Sequence, residues 1–487
     1  MQRKLSLILK VVMLMLSVLL FGNTIDAGTQ DVSQLRDDVE TIIKEKLDGA
    51  EVSISVRQKD SGQMLYSYKG SKEIKPASNM KLLTSAAALD VLGNDYRFKT
   101  QVYTNGKIVN GLLKGDLYIR GEGDPTLSKK DLEQFAKTLK SKGVQTVDGH
   151  LIGDDTWFDD DLLTPGIEWD DEPYYYAAPV TALTTAPNTD YDTGTVIVDV
   201  ATKEGAKVPT IKVTPYIGNM KLINKVKTVD ANEKNTLEIT RHYKSNQIVI
   251  SGNLPIGQTK REWITVEHPT LYTLSLFQKV LKDAGIKFNS EHVIKLSKTP
   301  KIATLLAGKK SIPLKEIMIP YMKLSNNGIA DILVKTMGRV EKREGSTKAG
   351  LQVVRKYGEL LKLNMRAWTF EDGSGMSHKN SVSSNEFTQL LYKVQKEKTW
   401  YETFYTSLPV AANSERMIGG SLRNRFKDPV TAGKVFAKTG GLSDVNTLSG
   451  YVQADSGKWY IFSILVQNKS DTIPAIDDIV TVIAKEL

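Results

Sequence analysis

The sequence predicts an α+β chain: one five-stranded antiparallel sheet built from both ends, flanked by helices, and a large β-rich insert between them. Three observations predict it. Helical periodicity stands near both termini, alternating strands follow the first helix and precede the last, and the middle is a run of short alternating segments. At 487 residues the chain has room for two to four domains and an ample core.

Arg3 and Lys4 precede an apolar run from Val11 to Phe21, and a small-residue exit follows at Ala27-Gly28. A run of about 11 residues is the length of a signal-peptide core and short of a bilayer span. Residues 1–27 therefore read as a signal peptide, with an uncleaved single-pass anchor as the alternative. In residues 31–47, Val32, Leu35, Val39, Ile42, Ile43 and Leu47 recur at helical spacing. Val52, Ile54 and Val56 then alternate with polar residues, Lys59-Asp-Ser-Gly62 supplies a turn, and Met64, Tyr66 and Tyr68 alternate again. Lys434 to Lys438, Thr447 to Gln453 and Trp459 to Val466 read as three further strands. Residues 472–487 read as a closing helix capped at Asp471 or Thr472, with Pro474 in its first turn. If the two ends share a sheet, both terminal helices lie on one of its faces.

Between them, segments such as Gly194–Val200, Thr236–Thr240 and Gln247–Ser251 are separated by Gly, Asn, Asp and Pro. The expected organisation is a main unit of residues 28–98 and 300–487, with 99–299 inserted as two nested β-rich subdomains.

Composition removes several classes of chemistry. Hydrophobic residues at 40% and charged residues at 25% exclude a mainly disordered or polytopic membrane chain. With no cysteine there is no disulfide, thiolate nucleophile or Cys-ligated metal. The five histidines, His150, His242, His268, His292 and His378, form no HExxH pair, and no G-x-S-x-G elbow marks a serine for them. Neither a metal nor a cofactor is expected. Of the net charge of +9, Arg3, Lys4, Lys10 and Asp26 account for +2, leaving about +7 on a mature chain. That surplus suits an anionic surface such as wall polymers. No Lys/Arg-dense helix or aromatic-interleaved basic run points to nucleic acid.

The residues fit for chemistry begin at Pro76-Ala-Ser78-Asn-Met-Lys81, which opens a helix apolar on nearly all sides and stopped by Gly93. Ser78 and Lys81 share a face. A buried, unpaired ammonium loses its proton readily, and a neutral amine beside a hydroxyl is a general base beside its nucleophile. Ser325-Asn326-Asn327 falls at a break between helices 314–324 and 328–341. Lys438-Thr439-Gly440 ends a strand, and Gly441 follows it.

The order Ser-x-x-Lys, Ser-x-Asn, Lys-Thr-Gly resembles the signature of the penicillin-recognising serine enzymes. The 247 residues from Ser78 to Ser325 exceed what a compact β-lactamase uses. A large insert at that point resembles the D-alanyl-D-alanine carboxypeptidase/endopeptidase family of low-molecular-mass class C penicillin-binding proteins, peptidase family S13. So do Ile119-Arg-Gly-Glu-Gly-Asp124-Pro-Thr-Leu127, Tyr175-Tyr-Ala-Ala-Pro179 and Asp372-Gly-Ser-Gly-Met-Ser-His-Lys-Asn380. Two features depart from the family: Gly441 stands where members commonly carry a hydroxyl, and Gly419-Gly-Ser-Leu422 fits a Gly-Thr-Leu stretch only loosely.

The resemblance implies a serine β-lactamase/DD-peptidase-like fold and an exported serine DD-carboxypeptidase, with endopeptidase action also open. Its substrate would be the D-Ala-D-Ala end of a peptidoglycan stem peptide, and β-lactam antibiotics its inhibitors. It implies Ser78 as nucleophile, Lys81 as base, Ser325 as proton relay and Asn327 as the group orienting Lys81. Lys438 and Thr439 would take the substrate carboxylate, with Gly440 and Gly441 beside them. The Gly441 backbone N–H would join that of Ser78 in an oxyanion hole. Asp124 is either a substrate contact or the Asp of a Gly-rich turn, and His378 reads as a surface-loop residue. A β-lactamase, or a non-catalytic penicillin-sensing or wall-binding protein, is the alternative.

Overall fold

The computed structural model describes residues 32–487 apart from 206–207, 219 and 291–292. The expected signal peptide at 1–27 lies outside the described residues.

Five strands form one antiparallel sheet in the order Met64–Tyr68, Glu51–Gln58, Trp459–Gln467, Val445–Gln453, Val435–Leu442. Side-chain alternation decides what each face buries. From the 459–467 strand, Tyr460, Phe462, Ile464 and Val466 join Leu35, Val39 and Ile43 of helix Ser33–Lys46 and Ile476, Ile479, Val480 and Ile483 of helix Ile473–Glu486. Ile461 and Leu465 point the other way, into the helical core around Lys81–Leu92. The expectation of an α+β sheet drawn from both termini, with both terminal helices on one face, is borne out.

On the second face the sheet carries a seam of hydroxyls. Ser53 meets Ser384 at 2.8 Å, Ser55 meets Thr388 at 2.8 Å, and Ser449 meets Ser463 at 2.8 Å. Each buried hydroxyl is thereby satisfied. The Asn79 amide donates to Ser449 at 2.7 Å, which ties the segment holding Ser78 to the middle of the sheet.

The middle of the chain adds a five-stranded sheet of Ile294–Leu296, Leu151–Asp154, Leu117–Gly121, Lys99–Thr104 and Thr304–Lys310, and several smaller sheets. It also holds two helices that the alternating pattern did not lead us to expect, Lys129–Ser141 and Pro269–Asp283. Both carry local start signals. Ser128 and Asp131 form a reciprocal capping box ahead of buried Leu132, Phe135, Ala136 and Leu139, and Pro269 opens the other helix behind His268. Their apolar faces are buried against the strands, in a cluster running from Val102 to Ala307.

A second difference concerns Ser78. It lies not in the first α-turn but in a 3₁₀ turn, Ala77–Met80, which leads into helix Lys81–Leu92. At three residues per turn, positions i and i+3 eclipse, which brings Ser78 and Lys81 closer in direction than α-geometry does.

Candidate active site

The 3₁₀ turn is held on two sides. Thr447 Oγ1 donates to the Pro76 carbonyl at 2.9 Å, fastening the turn to the sheet. Opposite, loop 372–380 packs on it so closely that a Cβ at Gly375 would stand 1.8 Å from the Ala77 carbonyl oxygen. Gly375 also has φ +89°, a conformation costly to any other residue. Ala77, at φ +46°, and Ser325, at φ +60°, store strain in the same region. Gly375→Ala is expected to cost about 2 kcal/mol or more of stability by displacing the turn, which denaturant unfolding would measure.

Lys81 is fully buried. Its Nζ lies 2.8 Å from Ser78 Oγ, 2.6 Å from Asn327 Oδ1 and 2.7 Å from the Ser374 carbonyl. Burial pulls its pKa down to about 7, and the carboxylates of Asp331 and Asp372 oppose that shift. A neutral Lys81 amine donates two hydrogen bonds and keeps a lone pair directed at the Ser78 hydroxyl. Asn327 is fixed in turn, donating from Nδ2 to the Tyr176 carbonyl at 2.8 Å. The Asp372 carboxylate accepts from the backbone N–H of Gly375 at 2.6 Å and of Ser377 at 2.5 Å, and from Asn380 at 3.1 Å. It thereby shapes the loop that presents the Ser374 carbonyl to Lys81.

Lys438 stands on the facing strand, fully buried. Its Nζ donates to Ser325 Oγ at 2.8 Å and to the Thr439 carbonyl at 2.7 Å. Burial, and then the nearby Lys81 amine, hold its pKa well below that of an ordinary lysine. Two buried amines this close disfavour each other's charge.

These groups border a cleft of about 330 Å³ lined by Ser78, Ser325, Asn327, Thr439, Gly440 and Gly441, with Asp171, Tyr175, Tyr176, Met376 and His378 among its other walls. A larger cavity of about 740 Å³, lined by Asp159 to Leu163 among others, holds none of the Ser78, Lys81, Ser325 or Lys438 side chains. Chemistry rather than volume therefore selects the cleft. The 435–442 strand is the outermost of its sheet; residues 409–411 bond its outer edge at Val435 and Ala437, and an extended peptide has the remaining stretch beside Thr439 to Gly441 to lie along.

Of the residues singled out in the sequence, Ser78, Lys81, Ser325, Asn327, Lys438, Thr439, Gly440 and Gly441 come together here. Asp124 does not. It is buried elsewhere, accepting from Thr126 N at 2.8 Å and Thr126 Oγ1 at 2.7 Å, with Lys309 at 3.3 Å. Of the two readings the sequence left open for it, these contacts are those of a turn Asp paired with a lysine. His378, read as a surface-loop residue, lines the cleft with its Nδ1 3.5 Å from Lys75 Nζ. The residues passed over individually, Asp171, Tyr176, Ser374, Asp372 and Met376, sit in or beside the Tyr175–Pro179 and Asp372–Asn380 segments. Those segments were the available signal.

The family model described as D-Ala-D-Ala carboxypeptidase 3 (S13) matches residues 35–486. The D-alanyl-D-alanine carboxypeptidase of Actinomadura sp. (strain R39) is 36% identical over 463 residues, covering 94% of this chain and 85% of that protein. The D-alanyl-D-alanine carboxypeptidase DacB of Haemophilus influenzae is 27% identical over 423 residues, covering 85% of each. The crystal structure of penicillin binding protein 4 (dacB) from Haemophilus influenzae superposes with a TM-score of 0.78 at 24% identity, over 92% of this chain and 99% of that one. At that identity the likeness shows the fold. A second structure of that protein, complexed with a β-lactam, superposes with a TM-score of 0.74 at 23% identity.

Proposed function

The chain belongs to the D-Ala-D-Ala carboxypeptidase 3 (S13) family, and from that premise we propose an exported enzyme that trims peptidoglycan stem peptides through an acyl-enzyme on Ser78. One observation carries the reading: Ser78 Oγ lies 2.8 Å from a fully buried Lys81 amine, at the edge of a cleft walled on its far side by Ser325 and Thr439.

Ser78 Oγ attacks the carbonyl carbon of the penultimate D-Ala while Lys81 Nζ takes the hydroxyl proton. The developing oxyanion lies between the backbone N–H groups of Ser78 and Gly441, each worth about 3 kcal/mol in comparable sites. The C–N bond breaks as Ser325 passes a proton to the departing amine. Lys438 and Thr439 receive the terminal carboxylate, whose arrival favours the charged form of Lys438. Water then attacks the ester, and Ser78 is regenerated. Penicillins follow the same path and stall at the acyl stage. Endopeptidase cleavage of D-Ala cross-links uses the same steps with a larger leaving amine.

Export is supported by the basic, then apolar, then small-residue order of residues 1–28. Among the described residues, no helix is long and apolar enough to cross a membrane. An inserted unit within the catalytic unit is supported by a separate hydrophobic cluster whose members run from Val102 to Ala307, and because strand Thr304–Lys310 pairs with Lys99–Thr104 its second boundary falls after residue 310 rather than at 299. The surplus of positive charge suits contact with anionic wall polymers.

The test is to label the protein with penicillin, locate the adduct by peptide mass, and assay D-Ala release from a D-Ala-D-Ala peptide. A stable adduct on the peptide containing Ser78, with D-Ala released, is the expected result. Rapid loss of the adduct would make the protein a β-lactamase, and an adduct without D-Ala release would make it a sensing or wall-binding protein. An adduct elsewhere, or none, would overturn the mechanism.

A further inference from the structure

On the carboxypeptidase reading, which this builds on, the cleft must grip a C-terminal carboxylate, whose two oxygens accept several hydrogen bonds. Thr439 supplies one hydroxyl. Side chains alternate along the 435–442 strand, so the next position on the same face is Gly441, which offers none. Packing does not fill that gap, because a Cβ at Gly441 would meet nothing nearer than 4.0 Å.

A second hydroxyl reaches Thr439 from another direction. Ser421 sits in the short 3₁₀ turn Gly420–Leu422, with its Oγ 2.7 Å from Thr439 Oγ1. The turn is built for this approach. Gly420 has φ +54°, and a Cβ there would stand 2.5 Å from the Lys323 carbonyl oxygen, so only glycine lets the turn close against the end of helix Leu314–Lys323. Ser421 also lines a space of about 310 Å³ that shares Tyr175 and Leu324 with the catalytic cleft. The hydroxyl pair therefore stands where the two spaces meet.

We propose that Ser421 is the second carboxylate-binding hydroxyl of this enzyme, acting with Thr439 to select substrates that end in a free carboxylate. In the absence of substrate the two hydroxyls satisfy each other. When the carboxylate arrives, each turns its O–H toward an oxygen, exchanging one neutral hydrogen bond for two charge-assisted ones.

Ser421→Ala is expected to raise KM for a D-Ala-D-Ala peptide about tenfold, the worth of one hydrogen bond to a charged group, with kcat within about twofold. Hydrolysis of the same peptide carrying a C-terminal amide is expected to be unchanged. Ser421→Thr, which keeps the hydroxyl, is expected to stay near the wild type. An unchanged KM, equal weakening toward acid and amide, or a Ser421→Thr variant as poor as the alanine would each overturn the assignment. Calorimetric binding of the acid peptide to Ser78→Ala and to Ser78→Ala/Ser421→Ala separates this from failure of the catalytic reading. A tenfold difference there sustains the role of Ser421 even if the wild type releases no D-Ala. Equal binding, or none, overturns it.

Discussion

Replacing Lys81 with methionine is expected to slow acylation of Ser78 by about 10³- to 10⁴-fold, the contribution of a positioned general base. Methionine has nearly the length and shape of the lysine stem, so the helix from residue 81 to 92 keeps its packing while the amine disappears. Three groups then lose their partner: the Ser78 hydroxyl, Asn327 Oδ1 and the Ser374 carbonyl. Among the described residues, the other ammonium in direct contact with the motif side chains is that of Lys438, and it is bonded to Ser325 Oγ and the Thr439 carbonyl. It is therefore not placed to take the Ser78 proton. Ser78→Ala, which removes the attacking oxygen, is expected to abolish the adduct altogether. The two variants differ in kind: slow labelling at Ser78 for Lys81→Met, and none for Ser78→Ala. Stopped-flow labelling with a chromogenic cephalosporin, alongside circular dichroism to check folding, measures the effect. A Lys81→Met variant acylating within tenfold of the wild type would remove Lys81 from the role of base.

Much of this site was legible in the sequence because its parts are short, local and type-specific. Ser78 and Lys81 lie three residues apart, so local geometry alone joins them. Lys438 and Thr439 ride on a strand whose alternation is plain. The closeness of Ser325 to Lys438 across 113 residues was not a local property. It came only from the order of the motifs and the family they resemble. The two helices of the insert were missed because the strands around them dominate the pattern, although Ser128 with Asp131 and His268 with Pro269 announce their starts. Asp124 shows the opposite failure. A conspicuous carboxylate in a Gly-rich segment invites a role, but its partners, Thr126 and Lys309, include one on a strand far along the chain. Ser421 was the least legible. Its meaning depends on a hydroxyl–hydroxyl contact with Thr439 that neither segment reveals by itself.

The rate of acylation is expected to rise about tenfold per pH unit up to about pH 7 and to level off above it. The cause is the buried Lys81 amine, whose pKa is drawn down to about 7. Below that value Lys81 holds a proton and cannot take one from Ser78, so acylation at pH 5 is expected to be about 100-fold slower than at pH 8. The same displacement has a sign in stability. An unfolded lysine titrates near 10.5, so between about 7 and 10.5 the unfolded chain binds the proton that the folded chain has lost. The Lys81 contribution to stability therefore grows as pH rises through that window, the same direction in which activity is retained. Asp331 and Asp372 work against the shift. Asp331, one turn beyond Asn327 and accepting from Thr164, is itself pushed up to about 7, by burial first and then by Asp372. Asp372 is also raised by burial, against the pull of its backbone hydrogen bonds. Asp331→Asn removes a carboxylate that favours the charged form of Lys81, so its pH–rate limb is expected to move to lower pH. Rates of penicillin labelling between pH 5 and 9 for wild type and Asp331→Asn would show this. A limb that stayed in place in the variant, or a wild-type rate flat across pH 7, would mean that the titration of Lys81 does not control acylation.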